Sequence, residues 1–450
     1  MAAARQSHHL SSFLLVLVVI TTHLLPLCSS TTSPAINTAR DVVQVDAHLK
    51  STLHEKAHIA EHGACPPPAS SRHRRHKRRP HHHHRHRSRP KGHPAAASIE
   101  IPLQLRNGQY YFMNLSMGTP PVHFSAVVDT GSDLTWTKCD CPGCSYASGS
   151  RTLNPSASSS YTDLPCTDAL CNAYCEDEGG CTYTQTYGSL EQSHGYLYKE
   201  TMTLGSMAAK NVTFGCSFDE SSFEMTAGIV GLGRGPRSLV AQLGSMIDYQ
   251  FSFCLSGLSD SRPSRLVLGP GPSFIHGGIS APMLTNSKMP HVYFVALKGI
   301  SVGGKRLQIP AWVFQIDQTG TGGFFVDSGS RYMCLVEPAY SQVLGAFAEA
   351  IGLPIVGSPI PDLSACFKGL PGSLSIPSLT LHFQNGDLHL PLENYFVVVT
   401  EDELSCLAII RTPFGRSFSV IGSMTVQNIH VNYNVGKSLM TFTPTQCDKL

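Results

Sequence analysis

Short runs of alternating apolar and polar residues follow one another from about Ile101 to the end of the chain. Clear examples are YYFMNLSM (110–117), FSAVVD (124–129), YFVALKGISV (293–302) and LHLPLENYFVVV (388–399). A period of two is typical of strands with one buried face, and the Gly, Pro, Ser and Asn between the runs favour turns. The pattern therefore predicts an all-β fold built from many short strands.

A helical period occurs in only a few places. The clearest predicted helix is Pro338–Ile351, whose apolar face comprises Tyr340, Val343, Leu344, Phe347 and Ile351. Shorter helices are expected after Pro236 (SLVAQLGSMI) and around Val42–Leu53.

The first thirty residues have the pattern of a secretory signal peptide. Arg5 supplies a positive start, Phe13–Ile20 is an unbroken apolar run, and small residues at Ser29 and Ser30 suit cleavage. The alternative is a membrane anchor, but the run is interrupted at Thr21 and is short for a membrane span. No later segment approaches twenty apolar residues, so we expect no stable membrane insertion.

The net charge of the 450 residues is only +2, because a basic first part and an acidic second part have charges that nearly cancel. Residues 1–94 carry 14 Lys/Arg, 4 Asp/Glu and 15 of the 22 histidines, whereas residues 95–450 have a balance of −8. The composition excludes collagen-like, coiled-coil and wholly disordered chains. An acidic body also argues against a nucleic-acid partner, because such binding needs a basic face.

Residues 31–98 are interpreted as a propeptide that contains a basic, His-rich segment at 71–94. That segment has ten Lys/Arg and no acidic residue, so it cannot form a packed core. One interpretation is a solvated linker, and another is an electrostatic cover for the acidic body. A metal site at His81–His84 is a weaker alternative.

Fifteen cysteines behind a signal peptide indicate disulfides rather than a zinc cluster, because the exported environment is oxidising. Cys28 and Cys65 precede the body, which leaves an odd number, 13, within it. Asn114 (Asn-Leu-Ser) and Asn211 (Asn-Val-Thr) are candidate glycosylation sites.

The body contains an internal repeat. FSAVVDTGSDLTW (124–136) is similar to GGFFVDSGSRYMC (322–334), and each is followed later by two apolar residues and a glycine, at Gly231 and Gly422. Two such units predict two related lobes, 99–288 and 289–450, with a Cys-rich insertion at 139–181 in the first.

Asp129 and Asp327 are the predicted catalytic residues, because each follows a buried apolar strand at the start of a tight loop. A buried carboxylate needs hydrogen-bond donors, and the two loops supply them from Thr130, Gly131, Ser132, Ser328, Gly329 and Ser330. Two carboxylates brought together share one proton, so one can act as an acid while the other activates a water molecule. No metal or other cofactor is expected in this chemistry.

On these motifs the chain resembles the pepsin family of aspartic proteases, and most closely the plant nepenthesin-like subgroup, over residues 108–447. The resemblance also includes YFMNLSMGTPP (111–121), FGC (214–216), GIVGLGRG (228–235) and GISVGGKRL (299–307). It implies a bilobal all-β fold with a few short helices and an active cleft between the lobes. It further implies a removable propeptide, an acidic working pH and polypeptide substrates.

The resemblance assigns a flap to TYGSLEQSHGYL (186–197), with Tyr187 and Gly188 over the substrate and Trp136 bound to the Tyr187 hydroxyl. The alternative for Tyr187 is a core aromatic residue. It also implies the disulfides Cys144–Cys216, Cys166–Cys181, Cys171–Cys175, Cys254–Cys447 and Cys366–Cys406. A sixth, Cys139–Cys141, would close a strained loop across one residue, and Cys334 is left as the odd thiol.

Two departures from the subgroup pattern lie near the cleft. Leu190 stands where a glycine would permit a left-handed turn, so the flap tip is expected to differ. Arg331 follows the second Asp motif. If its guanidinium points inward it would lower the pKa values of the dyad and favour acidic substrates; if it points to solvent it would do neither.

Gly299-Ile300-Ser301-Val302-Gly303 fits the nucleophile elbow of serine hydrolases. That elbow requires a helix directly after the strand, whereas Gly304, Lys305 and Pro310 here indicate a hairpin.

The leading interpretation is thus a monomeric aspartic endopeptidase, secreted or carried to the vacuole. The rival is a binding or inhibitor protein of the same fold that has lost its activity.

Overall fold

The computed structural model describes residues 98–140, 152–171, 175–176, 180–218, 223, 226–257, 264–271 and 278–449. The predicted signal peptide, the helix at Val42–Leu53, the basic segment 71–94, and Cys141 and Cys144 lie outside these residues. Residues from Ala96 onward belong to one compact unit. We call residues 98–288 the first half and residues 289–449 the second half.

The described residues of the first half form thirteen strands. Their bounds are β1 (Ile99–Arg106), β2 (Tyr110–Met117), β3 (Val122–Asp129), β4 (Trp136–Lys138), β5 (Thr162–Asp163), β6 (Cys175–Glu176), β7 (Gly180–Thr186), β8 (Gln192–Leu204), β9 (Met207–Ser217), β10 (Gly228–Gly231), β11 (Gln250–Cys254), β12 (Ser264–Leu268) and β13 (Ile279–Leu284).

The second half contains fourteen further strands among its described residues. They are β14 (Tyr293–Val295), β15 (Leu297–Val302), β16 (Lys305–Arg306), β17 (Phe324–Asp327), β18 (Met333–Leu335), β19 (Cys366–Lys368), β20 (Leu379–Phe383), β21 (Gly386–Leu390), β22 (Phe396–Val399), β23 (Leu404–Leu407), β24 (Ile409–Arg411), β25 (Ser419–Gly422), β26 (Ile429–Asn434) and β27 (Leu439–Pro444). The predicted all-β fold is therefore confirmed.

Two α-helices occur among the described residues, α1 (Leu239–Leu243) and α2 (Ala339–Ile351), and both were predicted. In α2, Tyr340, Val343 and Phe347 are buried, as the apolar period requires. Ser238 begins α1, where its hydroxyl accepts a hydrogen bond from the Ala241 N–H. Short 3₁₀ turns complete the helical content at Pro155–Ala157, Gly244–Ile247, Ala311–Phe314, Leu392–Asn394, Met424–Val426 and Cys447–Lys449.

One continuous ladder of antiparallel strands joins the two halves. It runs β1, β12, β11, β26, β27 and β13, so strands from the end of the chain pair with strands of the first half. The ladder then continues through β14 to β17, which ends at Asp327. The strands that carry the site are thereby tied to a shared sheet across both halves.

Alternation along β1 places one face of the strand in the core, as the sequence pattern predicts. In β1, Ile99, Ile101 and Leu103 are buried while Glu100 and Pro102 are exposed. The strands that lead into the predicted site are different, because Phe324–Asp327 is buried at every position. Burial on both faces explains why that segment reads as a continuous apolar run.

Two of the disulfides implied by the resemblance are present, Cys254–Cys447 and Cys366–Cys406. The second joins directly opposed residues of β19 and β23. The first connects β11 to the C-terminal segment and so reinforces the ladder between the halves.

The other implied disulfides are wrong. Cys216 pairs with Cys139 rather than with Cys144, because β4 runs parallel to β9 and brings Cys139 beside it with a Cα–Cα distance of 5.4 Å. The same bond rules out the strained pair Cys139–Cys141.

In the Cys-rich insertion, the bonds are Cys166–Cys175 and Cys171–Cys181, with Cα–Cα distances of 5.8 Å in both cases. Cys175 lies opposite Cys181 in the β6–β7 hairpin, and the Sγ atoms of Cys171 and Cys175 are only 3.5 Å apart. Four sulfurs this close permit several pairings, so spacing in the sequence could not select one.

Cys334 is disulfide-bonded, which corrects its interpretation as the odd thiol, and its partner lies outside the described residues.

Asn114 and Asn211, the candidate glycosylation sites, are both exposed. No helix in the described part of the chain is long and apolar enough to cross a membrane.

His430 on β26 is a buried titratable group in the ladder between the halves. Its side chain is 5% exposed, and burial lowers its pKa to about 4. Below pH 6.5 the unfolded chain therefore binds a proton that the folded chain does not, and this difference destabilises the fold as the pH falls to about 4.

We expect His430→Leu to remove this destabilisation. Between pH 6.5 and pH 4, the wild type should lose about 3 kcal/mol of unfolding free energy that the variant keeps. The measurement is guanidinium-induced unfolding of both proteins across this pH range with the disulfides intact. His389→Leu, at an exposed position on β21, is the control and should follow the wild type. Parallel pH profiles of wild type and His430→Leu would contradict the assignment.

Candidate active site

Each copy of the internal repeat forms a pair of parallel strands that sets an aspartate beside a glycine. β3 and β10 run parallel and set Asp129 beside Gly231, while β17 and β25 run parallel and set Asp327 beside Gly422. A β-carbon on Gly422 would clash with the backbone oxygens of Arg331 and Tyr332, and one on Gly231 would clash with the Asp133 backbone. The glycine of each repeat is thus needed because the loop after each Asp passes directly over it.

Each carboxylate is held by donors from its own loop. The Gly131 N–H donates to Asp129 Oδ1 at 2.8 Å, and the Ser132 hydroxyl donates to Oδ2. In the second loop the Gly329 N–H donates to Asp327 Oδ1 at 2.8 Å. The Ser330 hydroxyl donates to Oδ2 of the same carboxylate at 2.7 Å. The predicted support by backbone and hydroxyl groups is present in both loops.

Thr130 and Ser328 bind the two loops to each other. The Thr130 N–H donates to Ser328 Oγ at 3.1 Å, and the Ser328 N–H donates to Thr130 Oγ1 at 3.0 Å. The two hydroxyls then donate to the strand carbonyls of the opposite half, Ser328 to Val128 at 2.8 Å and Thr130 to Val326 at 3.4 Å. These reciprocal bonds fix the separation of the two carboxylates.

The carboxylates lie close together in a nearly closed site. Asp129 is 3% exposed and Asp327 is fully buried. A β-carbon placed on Gly131 would come within 2.7 Å of Asp327 Oδ1, and one on Gly329 would come within 2.5 Å of Asp129 Oδ1. Burial, followed by the charge of Asp129, raises the pKa of Asp327 well above its ordinary value. Asp327 therefore keeps its proton to a higher pH than an isolated carboxyl group would.

The flap consists of β7, the turn Tyr187–Glu191 and the start of β8. Tyr187 accepts a hydrogen bond on its hydroxyl from Trp136 Nε1 at 2.6 Å, as the resemblance implies. Burial raises the pKa of Tyr187, and its hydroxyl also interacts with the Ser132 side chain, which holds Asp129. Trp136, Tyr187, Ser132 and Asp129 thus form one polar chain from the flap to the dyad.

Phe223 packs against both Tyr187 of the flap and Trp136 of β4, and it was not recognised in the sequence. Its ring centroid lies 4.9 Å from that of Tyr187 and 5.4 Å from that of Trp136. A single aromatic residue in a loop has no periodic neighbour, so no sequence pattern marks it.

The structure corrects the expectation that Leu190 would change the turn at the flap tip. The Leu190 N–H donates to the Tyr187 carbonyl at 3.0 Å, and the Tyr187 N–H donates to the Glu191 carbonyl at 2.9 Å. Leu190 itself has φ 72°, so it adopts the left-handed conformation of the glycine that it replaces. The turn is kept, at the cost of backbone strain, and the Leu190 side chain is 74% exposed.

A cavity of about 250 Å³ lies between the flap and the dyad. Asp129 and Asp327 form its floor, and Tyr187 and Gly188 of the flap line it from above. Apolar side chains of the second half complete the wall, namely Met289, Val292, Phe325, Phe418 and Val420. A peptide side chain can therefore be enclosed directly beside the two carboxylates.

Arg416 reaches this cavity from the second half and was not among the predicted residues. It is half-buried, its Nη2 donates to the Gly188 carbonyl, and burial lowers its pKa. The loop from β24 to β25 has no motif that singles out one cation, so the sequence alone could not place Arg416 at the flap.

Arg331 lines a different and smaller cavity of about 60 Å³ with Tyr110, Tyr332 and Asp362. Its guanidinium carbon lies 4.8 Å from the centre of the Tyr332 ring. The guanidinium thus packs beside an aromatic ring in a cavity that does not include Asp129 or Asp327, and its effect on substrate choice stays a prediction.

The serine-hydrolase motif lies on β15, which forms a separate sheet with β16, β20 and β21. Ser301 Oγ is 2.7 Å from His382 Nε2, and His382 Nδ1 is 2.7 Å from Asp387 Oδ1, in the order of a hydrolase triad. Yet Ser301 is 4% exposed, and its strand β15 turns back into β16 through Gly303 and Gly304. A buried serine without the strand-to-helix turn cannot present its oxygen to a substrate, so the predicted hairpin is confirmed.

Sequence comparisons place the chain among plant proteins. The family described as "Xylanase inhibitor N-terminal" matches residues 111–270, and the family described as "Xylanase inhibitor C-terminal" matches residues 292–444. Aspartic proteinase nepenthesin-1 of Nepenthes gracilis is 38% identical over 361 residues, which cover 78% of this chain and 81% of that protein. Nepenthesin-2 of the same plant is 36% identical over 366 residues, with the same coverage.

Solved structures with the same fold include two basic 7S globulins. Basic 7S globulin from soybean superposes with a TM-score of 0.63 and 19% identity, covering 78% of this chain and 98% of that one. Conglutin gamma from lupine seeds superposes with a TM-score of 0.63 and 19% identity, covering 79% and 98%. At this identity the likeness establishes the fold alone.

The strain at Leu190 leads to a test on the flap turn. Leu190→Gly should stabilise the turn by about 1 kcal/mol, because glycine has no β-carbon to clash in the left-handed region. We expect about fivefold slower amide hydrogen exchange across Tyr187–Glu191 than in Leu190→Ala, which removes the side chain but keeps the strain. Equal exchange in the two variants would show that the turn is not strained at this residue.

Proposed function

The chain belongs to the nepenthesin-like family of plant aspartic proteinases, and we propose that it is an aspartic endopeptidase in which Asp129 and Asp327 activate a water molecule. The observation that carries the proposal is the reciprocal bonding of Thr130 and Ser328, which holds the two carboxyl groups side by side beneath a flap. A fold that had only retained its shape would not need both loops to keep every donor.

The raised pKa of Asp327 supports one division of roles between the two carboxyl groups. Protonated Asp327 donates a hydrogen bond to the oxygen of the scissile carbonyl, and ionised Asp129 accepts a proton from the attacking water. The carbonyl carbon gains the water oxygen and becomes tetrahedral without any bond to the protein. Return of a proton to the leaving nitrogen then breaks the C–N bond.

Acidic conditions suit this division of roles. As the pH rises past the pKa of Asp327, that residue loses its proton, and two adjacent charges can neither donate to the carbonyl nor coexist at low cost. Activity should therefore fall toward neutral pH. The acidic body supports the same conclusion, since protonation of surface carboxylates reduces its self-repulsion at low pH.

We further propose that residues 1–30 direct export and that the leader to residue 98 is removed on activation. The disulfides of the body favour an oxidising compartment outside the cytosol, either the extracellular space or the vacuole. Removal near residue 94 would convert a chain of net charge +2 into an enzyme of net charge −8.

A second candidate is a binding protein that inhibits other enzymes. The description of the two matching families as xylanase inhibitor domains favours it. Against it stands the complete set of donors around both carboxylates, which inhibition by surface contact would not require.

The test is digestion of unfolded globin by the purified full-length chain between pH 3 and pH 7, with and without pepstatin. We expect pepstatin-sensitive cleavage that is greatest at the acidic end, and mass spectrometry of the N-terminus shows whether the leader has been removed. Absence of cleavage after removal of the leader would favour the binding protein.

Asp129→Asn and Asp327→Asn should each reduce kcat by at least about a thousandfold, because neither carboxyl group can perform the other's role. Asp402→Asn makes the same chemical change at an exposed position and should leave the rate unchanged. Retention of activity in either dyad variant would refute the assignment of the dyad.

A further inference from the structure

The tip of the flap is held from both sides of the cleft. On its own side, Tyr187 is bound to Trp136 and packed against Phe223, both in the first half. On the far side, Arg416 donates from the second half to the carbonyl of Gly188, the next residue along the flap. Adjacent residues of one turn are therefore attached to opposite halves of the chain.

The loop that carries Arg416 is firmly anchored. The Thr412 N–H donates to the Leu335 carbonyl at 2.9 Å, and the Arg416 N–H closes a tight turn onto the Pro413 carbonyl at 3.2 Å. Gly415 has φ 85° and supplies the left-handed position of that turn. At the end of the loop, Phe418 packs on Phe325 with ring centres 5.2 Å apart. The base of the Arg416 side chain is thus fixed.

The flap, by contrast, is a two-stranded hairpin near its tip. β8 pairs with β9 as far as Gly195, and the Phe218 N–H donates to the His194 carbonyl at 3.3 Å. From Ser193 to the tip, β7 and β8 pair only with each other among the described residues. The stability of a two-stranded hairpin depends on its contacts with other elements, which at this tip include the contacts of Tyr187 with Trp136 and Phe223. A hydrogen bond from a charged donor at the tip therefore has a large influence on where the hairpin rests.

The closed flap remains compatible with a bound substrate. With Arg416 bound to Gly188, a cavity of about 250 Å³ is still present above Asp129 and Asp327, and Arg416 forms part of its wall. A peptide side chain can consequently lie between flap and dyad while Arg416 is attached to Gly188.

We propose that Arg416 is a positioning residue whose guanidinium fastens the flap tip over the Asp129–Asp327 pair. The role in turnover rests on the proposed protease function, whereas the fastening itself does not. A substrate enters when the bond between Arg416 and Gly188 opens, and its re-formation holds the flap in the working position during the reaction. Loss of the guanidinium should then lower kcat more than it raises KM, because the closed complex is populated less.

The first measurement is amide hydrogen exchange of the unliganded full-length chain. We expect Arg416→Ala to accelerate exchange across residues 182–194 by about five- to tenfold, since a charge-assisted bond at the tip is lost. Exchange in β26, which is remote from the flap, should not change. Arg416→Lys keeps one charged donor and should restore most of the protection.

Arg411→Ala is the matched control. Arg411 lies at the start of the same loop, has the same charge, and forms an exposed ion pair with Glu337 at 3.5 Å. It should leave flap exchange at the wild-type value. Faster exchange in Arg411→Ala equal to that in Arg416→Ala would overturn the proposal, because the effect would then come from loop charge. Unchanged flap exchange in Arg416→Ala would overturn it directly.

Peptide hydrolysis is the second measurement. Arg416→Ala should lower kcat about tenfold with a smaller change in KM, and Arg416→Lys should recover much of the rate. A wild-type chain without pepstatin-sensitive cleavage would refute the proposed function while leaving the exchange result to decide the fastening. Faster flap exchange with full kcat would overturn the positioning role.

Discussion

Two carboxyl groups buried within reach of each other are the constraint around which this structure is arranged. Each costs free energy to remove from water, and each makes ionisation of the other harder. The cost is offset only if both receive donors and their separation is fixed. Gly131 and Gly329 supply backbone donors at 2.8 Å, and the bonds between Thr130 and Ser328 fix the separation. The repeat in the sequence reflects this requirement, because the same need arises once in each half.

The surrounding sheet also helps to fix the separation of the two carboxyl groups. The two loops can meet only if β3 and β17 approach from opposite halves, and the ladder through β11, β26, β27 and β13 holds those halves in one sheet. The disulfide Cys254–Cys447 attaches the end of the chain to the same ladder. A rigid base of this kind leaves motion to the flap, which is a hairpin held at its tip by Tyr187 and Arg416.

The sequence predicts what depends on local pattern. Strands, both helices, the dyad and its donors follow from alternation or from a repeated motif, whereas the pairing of Trp136 with Tyr187 was implied only by the resemblance to the aspartic protease family. Phe223 and Arg416 could not be found that way, because each acts through contacts with residues distant in the chain. The disulfide pairing could not be predicted for a related reason. The sulfurs of Cys166, Cys171, Cys175 and Cys181 lie close enough together for several pairings. Leu190 shows a third limit: the tertiary structure imposes a left-handed φ on a residue whose type disfavours it.

Different buried titratable groups change the unfolding free energy with pH in opposite directions. Burial raises the pKa of Asp327 and of Asp133, which accepts a hydrogen bond from the Gly235 N–H. The stabilisation from their bound protons is complete below pH 3.8 and is lost as the pH rises through their folded-state pKa values. His430 has the opposite effect, because its buried imidazole destabilises the folded state increasingly as the pH falls from 6.5 to about 4. A protein working in acid gains from its buried carboxyl groups and loses from its buried imidazole. The carboxyl groups belong to the dyad and the loop beside it, whereas the imidazole lies in the ladder, so the acidic range is favoured by the site and opposed by the scaffold.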